Sequence, residues 1–541
     1  MPLSRKYKLT VIVLLSLTFL QPFFSAQNFS PASDETTHIP SGYTYIKTGE
    51  LKLNPQHPPL VKILAGLPLM LTNINFDSSD PTFSGPLFNE WLFGKKFLAS
   101  NNIGKILTLS RLPIQLLSVL LAFYLFLWAS EMFGRKAGLL AIFIYAFMPN
   151  MIAHSQFVTM DIAVSAFSLI AMYHLWKFFK TSHISQLVYS GIFLGLSLAS
   201  KFSAIVFLPV VAGFLLIYVW IKSKDTDAVI RNYIIYGFIL TAVSFFIVYG
   251  LYFFPKDLSF YIRGLRSVYA DWSGNHYFYL NGDFSTNGWW YYFILAFLMK
   301  TPIPFLVILF AAFTSMFLRK YNLNNWDKFF LLIPALFFLI VTTVRAGDIG
   351  VRYILPIYPF LILFVSGFLS QLIQSLKIKM QSDSLKSKVL NPTLKFYILR
   401  FTLLILSVWY VSSAVTAYPD YLPYFNESVG GSSNGYKHLD DSNIEWGQDL
   451  KRLKQYQLEH PETKTLISWN YAELNYYEIK NNIEVNKDSL DHPTGRYAVN
   501  VHLLIHLIQK SEEYKDPALN WLKLYKPVDK IGQSFFIYDF K

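Results

Sequence analysis

The sequence predicts a polytopic α-helical membrane protein of about eleven spans, followed by a small domain of mixed α and β structure. Two observations predict it. Of the 541 residues, 53% are hydrophobic and only 15% charged, whereas a soluble globular chain carries roughly a quarter charged residues. The apolar residues are gathered into long uncharged runs over the first four hundred positions, and this pattern stops near residue 420. An aromatic content of 18% also excludes a disordered chain.

The first apolar run, Leu9 to Ala26, follows the basic residues Arg5, Lys6 and Lys8. It contains Gln21 and Pro22 and no small-x-small cleavage pattern, so it reads as an uncleaved first helix rather than a signal peptide. Ten further runs of near-spanning length cover 107–130, 137–153, 158–179, 185–200, 203–221, 232–254, 289–318, 328–344, 353–373 and 397–417. The third and fifth spans are short, which suits tilted or paired helices or an overcount.

Charge gives an independent reading of topology. Lys and Arg collect in the segments joining even to odd spans: Arg135 and Lys136; Lys222, Lys224 and Arg231; Lys377, Lys379, Lys386, Lys388, Lys395 and Arg400. Lys177, Lys180, Arg319, Lys320 and Lys328 fall on the same side. The positive-inside rule makes that side cytoplasmic, with the N-terminus inside and both the 27–106 loop and the C-terminal segment on the outer face. The net charge of +13 is accounted for by topology, and nucleic acid is not an expected partner.

The polar segments follow from the same division. The 27–106 loop is too long for a simple connector, and its stretches Tyr43–Leu53 and Pro59–Leu71 suit helices lying on the membrane surface. A second outer loop, 255–288, is dense in Tyr, Trp, Asn and Gly. After 420 the patterns become soluble: a helix over Asp449–Glu459, a strand over Thr465–Trp469 and a strand over Gln533–Phe540. The chain thus divides into a membrane domain, 1–419, and an outer-face domain, 420–541.

The absence of cysteine excludes disulfides, thiolate catalysis and thiolate metal sites. No Walker loop, dinucleotide fingerprint or His-Glu-x-x-His motif is present, so no nucleotide is hydrolysed by a known motif in this chain. The sequence requires no cofactor; a divalent cation near the acidic pair Asp34-Glu35 stays open.

That acidic pair lies about eight residues after the first span, where a carboxylate can take a proton from a hydroxyl nucleophile. The alternative is that the pair caps a helix beginning near Thr36. Asp161 stands where the fourth span begins, a functional candidate by its position and equally a good first-turn residue. Lys201, Arg345 and Arg352 lie on the outer side against the topological preference, which suggests a bound anion such as a lipid phosphate, with snorkelling as the alternative. His57, before Pro58-Pro59, marks a turn and is a weaker candidate for phosphate or carboxylate.

In order along the chain, Asp34-Glu35, His57-Pro58-Pro59-Leu60, Ser110-Arg111-Leu112-Pro113, Phe133-Gly134-Arg135-Lys136-Ala137-Gly138, Met148-Pro149-Asn150 through His154 to Asp161, Ala199-Ser200-Lys201-Phe202 and Arg352-Tyr353-Ile354-Leu355-Pro356-Ile357-Tyr358-Pro359 form a recognisable series. The series resembles the membrane glycosyltransferases of family 39, whose C-type fold is shared by protein O-mannosyltransferases and the aminoarabinose transferase of lipid A. The block Ser442-Asn443-Ile444-Glu445-Trp446-Gly447-Gln448-Asp449-Leu450 resembles the tail of a bacterial branch of phospholipid carrier-dependent glycosyltransferases.

The resemblance implies an enzyme that passes a sugar, with inversion, from a polyprenyl-phosphate donor to a protein or glycolipid hydroxyl at the outer face of the cell membrane. It implies Asp34 as general base, Glu35 as the adjacent acid of the protein mannosyltransferases and Asp161 as a second acid at the rim. It also implies Lys201 and Arg352, with Tyr353 beside them, as contacts for the lipid phosphate. In one departure, His57 stands where the lipid A branch has a lysine, which argues against an aminoarabinose transferase. The competing expectation is a transporter or flippase of a lipid-linked sugar, but no hydropathy symmetry between two halves supports it.

Overall fold

The computed structural model describes residues 4–223, 225–271, 276–383, 391–467, 474–483, 485–486, 490 and 493–540. Of the positions named above, Lys224, Lys386, Lys388 and Trp469 lie outside the described residues.

The apolar runs fold as helices wherever they are long enough to satisfy their own backbone. Helix α1 (Arg5–Ala26) starts at Ser4, whose hydroxyl accepts the Tyr7 amide. Helix α2 (Glu35–Thr48) ends at Gly49, which takes the left-handed conformation at φ 73°. Helices α3 (Leu60–Gly66) and α4 (Glu90–Ala99) complete the first polar segment. Helix α5 (Ile103–Phe133) is capped by Asn102 and gives way at Gly134 to α6 (Arg135–Ala146). Then follow α7 (Pro149–His154), α8 (Asp161–Thr181), α9 (Ile184–Leu198), α10 (Phe207–Lys222) and α11 (Thr226–Leu251).

Among the described residues, eight helices are long and apolar enough to cross a membrane, or nine if one bent pair counts as a single span. The two expected runs that fall outside the count of nine are the short third and fifth, 137–153 and 185–200. The 137–153 run breaks before Pro149, where Met148 is extended at ψ 106°, because proline lacks an amide donor and excludes helical angles from its predecessor. What remains is α6, 12 residues long, and α9 has 15. At about 1.5 Å per residue each is shorter than a straight span of about 30 Å, yet α9 runs back along α8 and brings Lys201 to Asp161 at the start of α8. The 289–318 run is likewise interrupted, at Pro302.

After the amphipathic α12 (Phe260–Asp271), a short hairpin pairs β1 (Phe278–Leu280) with β2 (Asp283–Ser285). Helices α13 (Tyr292–Lys300) and α14 (Ile303–Phe317) meet at 117° around Pro302. Helices α15 (Asn325–Arg345), α16 (Ile357–Asp383) and α17 (Asn391–Ala417) close the helical part. Helix α8 is almost wholly enclosed, packed by α5, α9 and α16.

The first polar segment is not a membrane-surface element at α2. Residues Glu35 to Tyr45 are all buried, because α2 crosses α3 at Gly42, where a Cβ would overlap the Lys62 carbonyl oxygen. Only beyond α3 does the segment expose apolar side chains, Leu67 and Leu71.

The C-terminal part contains α18 (Leu450–Glu459) and the strands β3 (Lys464–Leu466), β4 (Gly495–Asn500), β5 (Asp529–Ile531) and β6 (Phe535–Phe540). They form one sheet in the order β3-β4-β6-β5, parallel only between β3 and β4. Along β6, Phe535 and Ile537 join the cluster with Leu450 and Leu453 of α18, whereas Phe536 and Tyr538 join the cluster with Leu503 and Leu504 of the helix Val501–Glu513. This is the two-residue alternation of a strand covered on both faces.

Candidate functional site

The site is assembled from residue 34, the beginning of α8, the turn after α9, and the short 3-10 helix Val351–Ile354. Asp34 directly precedes α2, but its side chain makes no capping hydrogen bond. Its Oδ2 instead accepts from Nη1 of Arg352 at 2.9 Å, and its side chain remains 22% exposed. The capping alternative is therefore not realised.

Glu35 is placed differently. Arg111 grips it with two bonds, Nε to Oε1 at 2.9 Å and Nη2 to Oε2 at 2.6 Å. The amides of Ala32 and Val158 donate to the same two oxygens, both at 2.9 Å. Arg111 spends its other donors on the carbonyls of Ala26 and Ser30. Both side chains are enclosed, so the pair braces the turn carrying Asp34 against α5.

Asp161 is the first residue of α8, and its Oδ1 accepts from Lys201 Nζ at 2.7 Å. Tyr353 stands between the two cations: its ring centre lies 4.6 Å from Lys201 Nζ and 5.3 Å from the Arg352 guanidinium. Arg352 also rests on Trp446, its guanidinium 4.2 Å from the ring centre. Arg352 Nε is buried without a hydrogen-bond partner among the described residues, an unsatisfied donor of the kind that an oxyanion fills.

His57 lies half-buried beside this cluster, its ring 5.6 Å from that of His38, and its enclosed Nδ1 has no partner among the described residues. Burial, followed by the nearby His38, Lys201, Lys62 and Arg352, pushes its pKa well below the usual histidine value. It is therefore neutral near pH 7 and can hydrogen-bond an anion without adding charge. Burial likewise lowers His38, whose Nδ1 donates to the Val158 carbonyl at 2.9 Å. Lys62 is held by the carbonyls of Asn54 and His57 and fixes the shape of this turn.

Seven of the eight sequence-predicted residues thus lie in or against one cluster. Arg345 does not join it: its side chain, at the end of α15, is exposed and makes no contact with the others among those described. Nor does the acidic pair offer two free carboxylates to a cation, since the oxygens of Glu35 are already engaged.

Sequence reasoning passed over Arg111 and Trp446 as site residues. Arg111 had a signal, a lone cation within an apolar run. Trp446 had none apart from its block, and the block's role emerges only in three dimensions. Ser33 N donates to Trp446 O at 2.7 Å and Ser30 N to Gln448 O at 2.9 Å, while Val351 N donates to Asn443 Oδ1 at 3.0 Å. One loop therefore aligns the segments that carry Asp34 and Arg352.

The chain's similarities to known proteins bear on this arrangement. Residues 98–252 match the family model described as dolichyl-phosphate-mannose-protein mannosyltransferase, a stretch that includes Arg111, Asp161 and Lys201. No curated protein matches the chain. Among solved structures, ArnT from Cupriavidus metallidurans bound to undecaprenyl phosphate is similar with 12% identity and a TM-score of 0.49, over 97% of each chain. The archaeal oligosaccharyltransferase AglB from Archaeoglobus fulgidus, in complex with an inhibitory peptide and a dolichol-phosphate, is similar with 11% identity and a TM-score of 0.48, over 99% of this chain and 74% of that one. The S. cerevisiae Pmt1-Pmt2 complex bound to the sugar donor is similar with 18% identity and a TM-score of 0.34, over 49% of this chain and 35% of that one.

Proposed function

We propose that this chain is a multi-pass membrane glycosyltransferase that moves a sugar from a polyprenyl-phosphate donor to a hydroxyl acceptor, on a protein or a glycolipid, with inversion. The observation that carries the reading is the junction of Asp34–Arg352 and Asp161–Lys201 around Tyr353. It joins a partly open carboxylate to two cations that retain spare donors. The family match over 98–252 supports the transferase class and the lipid-phosphate donor.

The chemistry follows from that junction. Arg352 and Lys201 hold the donor phosphate, and His57 offers it a neutral hydrogen bond. The acceptor oxygen attacks the anomeric carbon as the bond from that carbon to the phosphate oxygen breaks. The leaving polyprenyl phosphate gains negative charge, which the two cations stabilise in a poorly hydrated setting. Asp34 takes the hydroxyl proton, a contribution of roughly 10²- to 10⁴-fold. Glu35 acts as a positioning residue for Asp34, and Asp161 orients Lys201. Residues 1–419 carry this reaction, and 420–541 supply the aligning loop and a surface for the acceptor. The reading places the site on the outer face of the cell membrane, with the N-terminus in the cytoplasm.

The test is transfer by the purified protein of labelled sugar from polyprenyl-phosphate donors to cell-envelope acceptors, paired with mass spectrometry of glycans and glycoproteins from a deletion strain. Loss of one glycan in the strain and its restoration by the purified protein support the reading. Solute transport into vesicles without sugar transfer would replace it with the transporter.

A further inference from the structure

Outside the site described above, one cluster combines metal-binding side chains with unsatisfied buried oxygen. His502 and His506 occupy successive turns of one face of the helix Val501–Glu513, with ring centres 4.3 Å apart. Both are directed at Asp440, whose Oδ2 lies 2.8 Å from His502 Nδ1 and 3.4 Å from His506 Nε2. One ligand atom from each residue lies within 4.8 Å of the others, and this is the one such group among the described residues. Asp440 is only 6% exposed, and its second oxygen has no hydrogen-bond partner among the described residues. The same is true of Oε2 of Glu445, which also interacts electrostatically with His502.

From this geometry we infer that Asp440, His502 and His506 form a binding site for a transition-metal dication of the zinc class. Two imidazoles and one carboxylate suit zinc or cobalt, whereas magnesium and calcium favour shells made of oxygen. Three protein ligands leave a fourth position for water or for a nearby carboxylate such as Glu445.

The site also has a structural consequence. Asp440 begins the loop that aligns the transferase site. Three residues on, Asn443 accepts the Val351 amide, and Ser442 donates to the Ile349 carbonyl at 2.9 Å. A metal bridging Asp440 to the helix Val501–Glu513 ties this loop to the C-terminal sheet domain, so its loss loosens the support of Arg352. The binding site itself stands whether or not the transferase reading is correct.

The full-length, tag-free protein in detergent tests it, using metal content, cobalt titration followed by visible d–d absorption, and thermal melting with and without zinc. The expected result is one zinc or cobalt ion per chain and a melting temperature raised by zinc and lowered by chelator. Affinity falls about 10-fold or more in His506→Gln and in Asp440→Asn, and zinc no longer shifts their melting. If one variant does not fold, the other and the chelator experiment on the wild type still decide. A wild type that takes up no metal, or variants that bind cobalt as tightly as the wild type, would overturn the site and leave the trio as a proton-held ion pair.

Discussion

Asp34 and Arg352, 318 residues apart in sequence, meet at 2.9 Å, and the Arg352 guanidinium also lies 4.2 Å from the centre of the Trp446 ring. The pairing makes one residue responsible for two tasks, holding Asp34 in place and presenting a buried, unpaired Nε to an incoming anion.

Asp34→Asn therefore removes the proton acceptor while keeping a hydrogen bond to Arg352. We expect transfer to fall by roughly 10²- to 10⁴-fold, with elution and melting of the purified protein unchanged. Arg352→Lys keeps the charge but loses the planar fork, so it should weaken donor binding and turnover together. Wild-type turnover in Asp34→Asn would remove the base assignment.

Lys201→Met should act on donor binding. A charge-assisted hydrogen bond contributes roughly 1.5–3 kcal/mol, so the apparent KM for the lipid donor should rise about 10- to 100-fold. The variant also leaves Asp161 unpaired within the protein, so Asp161→Asn with Lys201→Met should recover stability without recovering KM. Initial rates over a donor series, with parallel melting curves, separate the two effects.

Arg111→Met should behave as a folding variant. It leaves the enclosed Glu35 carboxylate without its partner, which costs roughly 3–5 kcal/mol. The melting temperature and the yield of monodisperse protein should drop, unlike those of Asp34→Asn. If Arg111→Met melts like the wild type, the brace formed with Glu35 is not a main support of the turn.

Trp446→Ala removes the ring on which Arg352 rests, an interaction of about 2 kcal/mol when desolvated. We expect weaker donor binding with little change in melting. Photo-crosslinking or isothermal titration with a polyprenyl phosphate would measure it directly, and unchanged affinity would confine Trp446 to the backbone bond from Ser33.

Glu445 gives the pH dependence. Burial raises its pKa to about 7, so the folded protein favours the neutral acid. The folded state binds the extra proton, and this contribution is complete below the usual glutamate value of about 4.3 and disappears as pH rises through about 7. Glu445→Gln should flatten the fall in melting temperature between about pH 5 and pH 7. An identical slope in wild type and variant would assign that dependence to other groups.

How much of this was legible in the sequence differs between fold and site. The helical architecture was readable because a backbone in hydrocarbon must bond to itself, so each apolar run of sufficient length became a helix. The breaks within the runs were less legible: residues 137–153 are apolar throughout, but Pro149 divides them, and α9 has only 15 residues. Strand β6 was readable from its alternation within Gln533–Phe540.

For the site, the sequence by itself determined which charges were candidates: Asp161, Lys201 and Arg352 stand at the ends of apolar runs, where desolvation makes an uncompensated charge costly, and Asp34 follows about eight residues after one. Only the tertiary structure decided how those charges were compensated. It gave Glu35 to Arg111 and Asp34 to Arg352, and it left Arg345 outside. The two members of one dipeptide diverge because successive residues at a helix start point in different directions, one into the packed interior and one into the open cluster. Which partner each finds depends on contacts across hundreds of residues, made through the 440–450 loop, and no local pattern encodes them.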